Sequence, residues 1–203
     1  YHGGLMDRFT TQNANPGLDP TGSRSMGYYD NTDLPFYYGI ATTFATGDRY
    51  FSSVLSQTYP NRLYLLAGTS FGKIRNDIFS PFDLSKQSIF NLLDQYAVTW
   101  RIYVSEFSQI PPYGSYAATF FQYVADRHET RIVPMSQYFL DAATGNLPNV
   151  AFIDPDLGGT PQTENDEHPI ANVQLGQKYV ADAINGLLAS PARLLAQELA
   201  LSL

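Results

Sequence analysis

Residues 89–104 carry two hydrophobic periods back to back. Ile89, Leu92, Leu93 and Tyr96 recur at steps of three and four, the spacing of one helix face, with Ser85 read as the cap before them. Val98, Trp100, Ile102 and Val104 then alternate strictly, which is strand spacing. A helix that runs straight into a strand is the building unit of an α/β fold, and other segments extend the pattern. Asp33-Leu34-Pro35 reads as a helix start with Asp33 as N-cap; Phe36, Ile40 and Phe44 predict one buried face, and Gly47 an end. Arg62-Leu63-Tyr64-Leu65-Leu66, closed by Gly68, predicts a short buried strand. A helix is expected over Tyr116 to Val124, and a strand over Val150-Ala151-Phe152-Ile153, ending at Asp154-Pro155. The clearest helix runs from Val173 to Leu188, with Val173, Gly176, Val180, Ile184 and Leu187 on one stripe and Ser190-Pro191 as the stop. The first thirty residues read as loop, built on Asn-Pro-Gly and Asp-Pro-Thr-Gly turns. The order predicts an α/β fold with a mostly parallel sheet flanked by helices. No shift in composition marks a linker, so residues 1–203 are expected to form one domain.

Composition narrows the function classes. The 203 residues are 44% hydrophobic and 15% charged, enough for a packed core and unlike a disordered tail. Twelve Lys and Arg against nineteen Asp and Glu give a net charge of −7, with no basic cluster. That argues against nucleic acid as a partner and against a standing patch for anionic membranes. Cysteine is absent, which removes thiol nucleophiles and cysteine metal sites. No apolar run is long enough to predict a transmembrane segment. The chain opens on Tyr1 and is expected to be a piece of a longer protein or a processed chain.

Three places could carry chemistry. Gly68-Thr69-Ser70-Phe71-Gly72 fits the G-x-S-x-G nucleophile elbow, and Asp154 or Asp156 and then His168 follow in a usable order. An elbow needs a helix directly behind the serine, however, and Lys73 to Pro81 has no helical period. The second place is Ser56-Gln57-Thr58-Tyr59-Pro60-Asn61-Arg62, a hydroxyl in a stiff segment ahead of the predicted strand; on that reading it lies at the amino end of its own strand, away from the usual ligand side. The third is Asp154-Pro155-Asp156 followed by Glu164-Asn165-Asp166-Glu167-His168-Pro169. A calcium loop fails there because Gly158 and Asn165 occupy ligand positions, which leaves a solvated acidic loop as the plain reading. His168, before a proline and just ahead of the longest helix, suits a donor reaching into a cleft or a surface histidine. His128, among Asp126, Arg127 and Glu129, reads as a solvated face.

Several segments in chain order carry a resemblance. Gly3-Gly4-Leu5-Met6-Asp7-Arg8-Phe9 comes first, then Met26-Gly27-Tyr28-Tyr29-Asp30 with Asp33-Leu34-Pro35-Phe36-Tyr37-Tyr38. Asp48-Arg49-Tyr50-Phe51-Ser52-Ser53-Val54-Leu55, Thr58-Tyr59-Pro60-Asn61-Arg62-Leu63-Tyr64 and Gly68-Thr69-Ser70 follow. Phe152-Ile153-Asp154-Pro155, Asp166-Glu167-His168-Pro169 and the last helix complete the set. Taken in order, these segments resemble the phosphoesterase family of bacterial phospholipases C and acid phosphatases, within the alkaline-phosphatase-like superfamily. The first is similar to the family's Gly-Gly-Lys-Met-Asp-x-Phe, and those of 26–38 and 48–70 are close to family sequence.

The resemblance implies an alkaline-phosphatase-like fold and hydrolysis of a phosphate ester, of a phospholipid head group or a soluble phosphomonoester. It implies Thr58 as the nucleophile, His168 near the bound phosphate, and a structural Ser70. A divalent metal would lower the hydroxyl's pKa, and His168 could steady phosphoryl oxygens or protonate the leaving group. Asn61 and Arg62 are expected to brace the loop. The family usually has Gly-Pro where this chain has Ser56-Gln57, and its other metal-ligand segments have no match here. Thr58 is therefore the one metal ligand the resemblance supplies, and residues 1–203 are expected to be the central part of the enzyme, without the catalytic segments on either side and binding no metal alone. An extracellular or periplasmic location is also implied. Two other readings stay open: a catalytically dead remnant that binds a phosphate-bearing partner, and a serine hydrolase using Ser70.

Overall fold

The structure is a computed structural model and describes residues 2–76, 85–107, 109–110, 113–114, 118–157, 159–169 and 171–191. It divides into two compact units, Tyr1–Thr46 and Gly47–Leu203.

The first unit holds a 3-10 turn at His2–Gly4, helix α1 (Phe9–Asn13), a second 3-10 turn at Ser23–Met26, and helix α2 (Pro35–Thr43). Between the first two helices the chain turns on Asp19, whose Oδ2 accepts the Arg24 N–H at 2.8 Å and whose Oδ1 accepts the Thr21 hydroxyl at 3.1 Å. Those donors hold the Asp19 carboxyl below its usual range, the Arg24 amide most of all. Gly22 sits there at φ +68, where a Cβ would stand 1.8 Å from the Thr10 carbonyl oxygen. Helix α2 differs from expectation at both ends. Its N-cap is Leu34, because the Asp33 carboxylate turns back to accept the Asp30 N–H at 3.0 Å. It stops at Thr43, so Phe44 lies beyond it and is exposed, while Phe36 and Ile40 are only half-buried.

The second unit begins with helix α3 (Thr58–Ala67) and α4 (Ile89–Gln95), then strand β1 (Trp100–Val104) and a 3-10 turn at Ala118–Phe120. Short helices α5 (Gln122–Ala125) and α6 (His128–Arg131) lead into β2 (Ile132–Pro134) and α7 (Met135–Thr144). Strand β3 (Val150–Asp154) and helix α8 (Val173–Leu188) follow. The described residues thus form one sheet of three strands in the order β2-β1-β3, parallel throughout, with Ile102 opposite Ile132 and Phe152.

Alternation along β1 separates two cores. Trp100, Ile102 and Val104 are fully buried in one cluster with Leu63 and Leu66 of α3, Phe90 of α4 and Val124 of α5. Tyr103, also fully buried, joins Met135 and Tyr138 of α7 and Ala183 of α8 in the other. Helices therefore cover both faces, as a parallel sheet requires. The α/β class and the parallel sheet flanked by helices agree with the sequence.

Three assignments change. Residues 62–66 are helical, not a strand: an apolar run of five does not separate the two. Pro60 sits in the first turn, where its missing N–H is no loss, and Gly68 closes the helix at φ +70 with its N–H on the Tyr64 carbonyl at 2.8 Å. The N-cap of α4 is Ser88 rather than Ser85, in a capping box with Asn91, whose Oδ1 accepts the Ser88 N–H at 2.9 Å. The helix expected over 116–124 is a 3-10 turn followed by α5, and residues 115–117 lie outside the described residues. The final helix has the predicted bounds, capped by Asn172, whose side chain accepts the Gln174 N–H at 3.0 Å.

Candidate active site at the start of α3

Because 58–67 is a helix, Thr58 stands at its first position instead of at the amino end of a strand. The chain entering the helix is held by Asn61. Its Nδ2 donates to the carbonyls of Val54, Ser56 and Gln57 at 3.1, 3.2 and 3.0 Å, and its Oδ1 accepts the Val54 N–H at 3.1 Å. One turn of helix is folded over its own lead-in and holds the backbone of residues 54, 56 and 57. Asn61 thus braces the loop, as expected.

Arg62 reaches the sheet. Its Nη1 donates to Asp154 Oδ1 at 3.3 Å, at the carboxyl end of β3. Asp154 is a junction: its backbone oxygen also accepts the Ser105 N–H at 3.0 Å and the Tyr179 hydroxyl at 3.1 Å. Burial, and then the Asp154 charge, pushes the Tyr179 phenol well up from its usual pKa. Strand β1 pairs with β2 on one side and β3 on the other, so the strand order reverses at β1. The carboxyl ends of β1 and β3 flank the reversal, the usual ligand side of an open α/β sheet. Arg62 brings the start of α3 to that side, reversing the sequence expectation.

Thr58 lines an open pocket of about 420 Å³ with Tyr50, Ser52, Ser56, Gln57, Asn61, Arg62 and Leu65. Arg62 and Leu65 also line a neighbouring, mostly apolar cavity of about 270 Å³ with Leu66, Phe90, Ile102, Phe152 and Asp154. The Thr58 side chain is exposed and its hydroxyl makes no hydrogen bond among the described residues.

Ser70 is placed differently. It is 4% exposed, in a turn that follows helix α3 and is itself followed by turn and coil through Asn76. The strand before and the helix behind that an elbow requires are both missing. The remaining stretch, 77–84, lies outside the described residues.

The acidic loop is pinned rather than freely solvated. Asn165 Nδ2 donates to Ser105 Oγ at 2.9 Å, and its Oδ1 accepts the Asp156 N–H at 2.7 Å. Asp156 lies against Glu106, whose carboxyl its hydrogen bond and charge push up. Glu167 is at φ +63 with its side chain laid against Gly176 of α8. His168 is exposed; its N–H donates to Asp166 Oδ1 at 3.2 Å, and its ring makes no hydrogen bond among the described residues. It is not among the residues lining the Thr58 pocket. His128, expected on a solvated face, is half-buried: its ring stacks on Tyr113 with centroids 3.9 Å apart, and Nδ1 meets the Ala125 carbonyl at 2.8 Å. Sequence reading missed Asp154 as the partner of Arg62, Tyr50 and Ser52 as pocket walls, and Asn76, which holds the Tyr59 N–H at 2.8 Å. A carboxylate closing a parallel strand could have signalled the first; the others carry no sequence signal.

Among the described residues no group of three or more His, Asp or Glu side chains is arranged to hold a metal, and the Asp154 carboxylate that reaches α3 is on Arg62.

The model of the Phosphoesterase family matches residues 1–200. The chain belongs to the Phosphoesterase family. Among curated relatives, the chain is 32% identical over 188 residues to non-specific phospholipase C4 of Arabidopsis thaliana, covering 89% of this chain and 33% of the relative. It is 34% identical over 168 residues to non-specific phospholipase C6 of the same plant, covering 78% and 30%. Phospholipase C A of Mycobacterium tuberculosis is 29% identical over 210 residues, covering 95% and 39%. This Phosphoesterase family chain thus spans about a third of the length of the relatives it matches.

Proposed function

We propose that this chain carries the nucleophile-bearing part of a phosphate-ester hydrolase, with Thr58 Oγ as the attacking atom. The observation that carries the reading is the placement of Thr58: exposed, without a hydrogen-bond partner among the described residues, at the first position of a helix whose Arg62 is tied to the ligand side of the sheet. Family membership and relatives named as phospholipases C support the reaction class.

In the proposed reaction the Thr58 oxygen attacks phosphorus in line with the ester oxygen. The Oγ–P bond forms, the P–O bond to the alcohol breaks, and the hydroxyl proton leaves to a base. The departing alcohol takes a proton, which His168 supplies in its protonated form. Water then attacks the phosphorus of the threonine ester: its oxygen bonds phosphorus, the Oγ–P bond breaks, and the water's proton goes to Oγ as the phosphorylated product leaves. His168 does not line the Thr58 pocket, so its part requires the 166–169 segment to face the substrate. A divalent metal that lowers the hydroxyl's pKa belongs to the proposal, but Thr58 is its one donor here and the described residues do not complete a site. Its other ligands are assigned to residues outside those described. The apolar cavity beside Arg62 and Leu65 supports a phospholipid over a soluble phosphomonoester. An extracellular or periplasmic location is part of the same proposal and is checked by fractionating cells that make the natural protein.

The test is hydrolysis by the full natural chain, supplied with divalent metals, of phosphatidylcholine vesicles and of p-nitrophenyl phosphate. Thr58→Ala should abolish release of the phosphorylated product, and Ser70→Ala should leave most of it. A dead Ser70→Ala variant together with cleavage of carboxylic esters would overturn the reading in favour of a serine hydrolase. Phosphate binding without turnover under any metal would favour the inactive remnant.

A further inference from the structure

Helix α3 starts without a cap of its own. Its N-cap residue, Gln57, makes no side-chain bond to the helix backbone. Of the first N–H groups, Pro60 has none, and Tyr59 finds its acceptor outside the helix, at Asn76 Oδ1, 2.8 Å away. The Gln57 side chain is turned the other way: its Oε1 accepts the Asn76 backbone N–H at 2.6 Å. The Ser56 hydroxyl donates to the Ile74 carbonyl in the same strip. Residues 74–76 therefore lie along 56–59 and are joined to them by three hydrogen bonds. Thr58 sits between the two residues that Asn76 holds, Gln57 and Tyr59.

Resting on the reading of Thr58 as nucleophile, we propose that Asn76 is a positioning residue for it and that Gln57 and Asn76 form a two-way clasp that sets its hydroxyl. The physical need is clear. Gln57 is a flexible residue immediately before the nucleophile, with many rotamers and an unrestrained φ, so the lead-in has no intrinsic stiffness. A nucleophile misplaced by about 1 Å costs on the order of a hundredfold in rate. Asn61 holds the carbonyls of the lead-in, through residues 54, 56 and 57. Asn76 supplies what Asn61 does not: it takes the backbone N–H on the far side of Thr58 and bonds the side chain on its near side. Asn76 touches no reacting atom and acts through the backbone that carries Thr58.

The test compares Asn76→Ala and Asn76→Asp in the full natural chain, with Thr58→Ala as control. The alanine loses the side-chain acceptor and keeps the backbone N–H for Gln57; the aspartate keeps an acceptor. With p-nitrophenyl phosphate or phosphatidylcholine vesicles, kcat should fall roughly tenfold or more in Asn76→Ala while KM stays within about twofold, and Asn76→Asp should recover most of kcat. Independently of turnover, the Tyr59 amide should exchange roughly tenfold faster in Asn76→Ala and at the native rate in Asn76→Asp. An unchanged kcat, a fall in kcat matched by loss of folded protein, or equal Tyr59 exchange in all variants overturns the clasp. An active Thr58→Ala variant overturns instead the reading of Thr58, whatever Asn76 does.

Discussion

Arg62 and Asp154 stand 92 positions apart in sequence and meet at 3.3 Å, joining the first turns of α3 to the carboxyl end of β3. Their side chains are 31% and 17% exposed, between the surface and buried cases. Exposed pairs contribute up to about 1 kcal/mol, while stripping one partner from a buried pair costs about 3–5 kcal/mol. Arg62→Ala should therefore cost about 2 kcal/mol in urea unfolding and also lower activity, because α3 loses its anchor on the ligand side. An unchanged urea midpoint in Arg62→Ala would show that the pair does not hold the helix.

The change from strand to helix over 62–66 has a sharp consequence. A strand would bury Leu63 and Leu65 together, whereas the helix buries Leu63 and Leu66 and leaves Leu65 64% exposed. Leu63→Ala should cost about 3 kcal/mol, the usual scale for a fully buried leucine. Leu65→Ser should stay within about 0.5 kcal/mol. Equal losses at both positions would restore the strand.

Asp141 provides a pH prediction. Burial pushes its carboxyl up, but bonds from Tyr103 at 2.7 Å, Gln137 at 2.7 Å and Arg101 at 2.5 Å outweigh this and hold it below the usual range. A carboxyl lowered in the fold binds fewer protons there than in the unfolded chain, where its pKa is about 3.9. Its contribution is therefore present above that value and fades as the pH falls through the lower, folded one. Asp141→Asn should be less stable than the native chain at neutral pH, and the gap should narrow below about pH 4. A gap independent of pH across that window would rule out the carboxylate as its source.

Gly176 in α8 tests the 166–169 loop. Helix propensity alone says that Gly to Ala should stabilise by about 1 kcal/mol. A Cβ there, however, would stand 2.1 Å from Glu167 Cγ. Gly176→Ala should instead destabilise by about 1–2 kcal/mol as Glu167 is displaced. It should also lower activity if His168, next along the chain, faces substrate. A stabilised, fully active Gly176→Ala would mean that Glu167 swings clear at no cost and that the loop's position does not matter.

Where two signals agreed, the sequence was legible. Val173–Leu188 had a full apolar stripe and a proline stop, and β1 and β3 had short β-rich runs with clear ends. Strand β2 was missed because it is three residues long and ends on Pro134, and α7 because it begins at once on Met135 with two of its four buried residues, Tyr138 and Asp141, polar at one end or charged. Thr58 could be singled out by the residues that follow it, but not its setting. That setting depends on Asp154 and Asn76, which reach α3 only through the fold, and no local spacing announces such a contact.

Among the described residues strand β1 lies in the middle of the sheet, yet it comes before both strands that pair with it. Val104 is followed by β2 only at Ile132 and by β3 only at Val150. At roughly 5–20 residues per second on the ribosome, the central strand waits about 2–9 s between its own completion and the start of its second neighbour. During that interval Trp100, Ile102, Tyr103 and Val104, all fully buried at the end, have a bare edge on at least one side. Translation speed across residues 105–150 thus sets how long the strand at the heart of the sheet can find a wrong partner, and slow codons or a cold host in that stretch should lower the yield of folded protein without altering any contact in it.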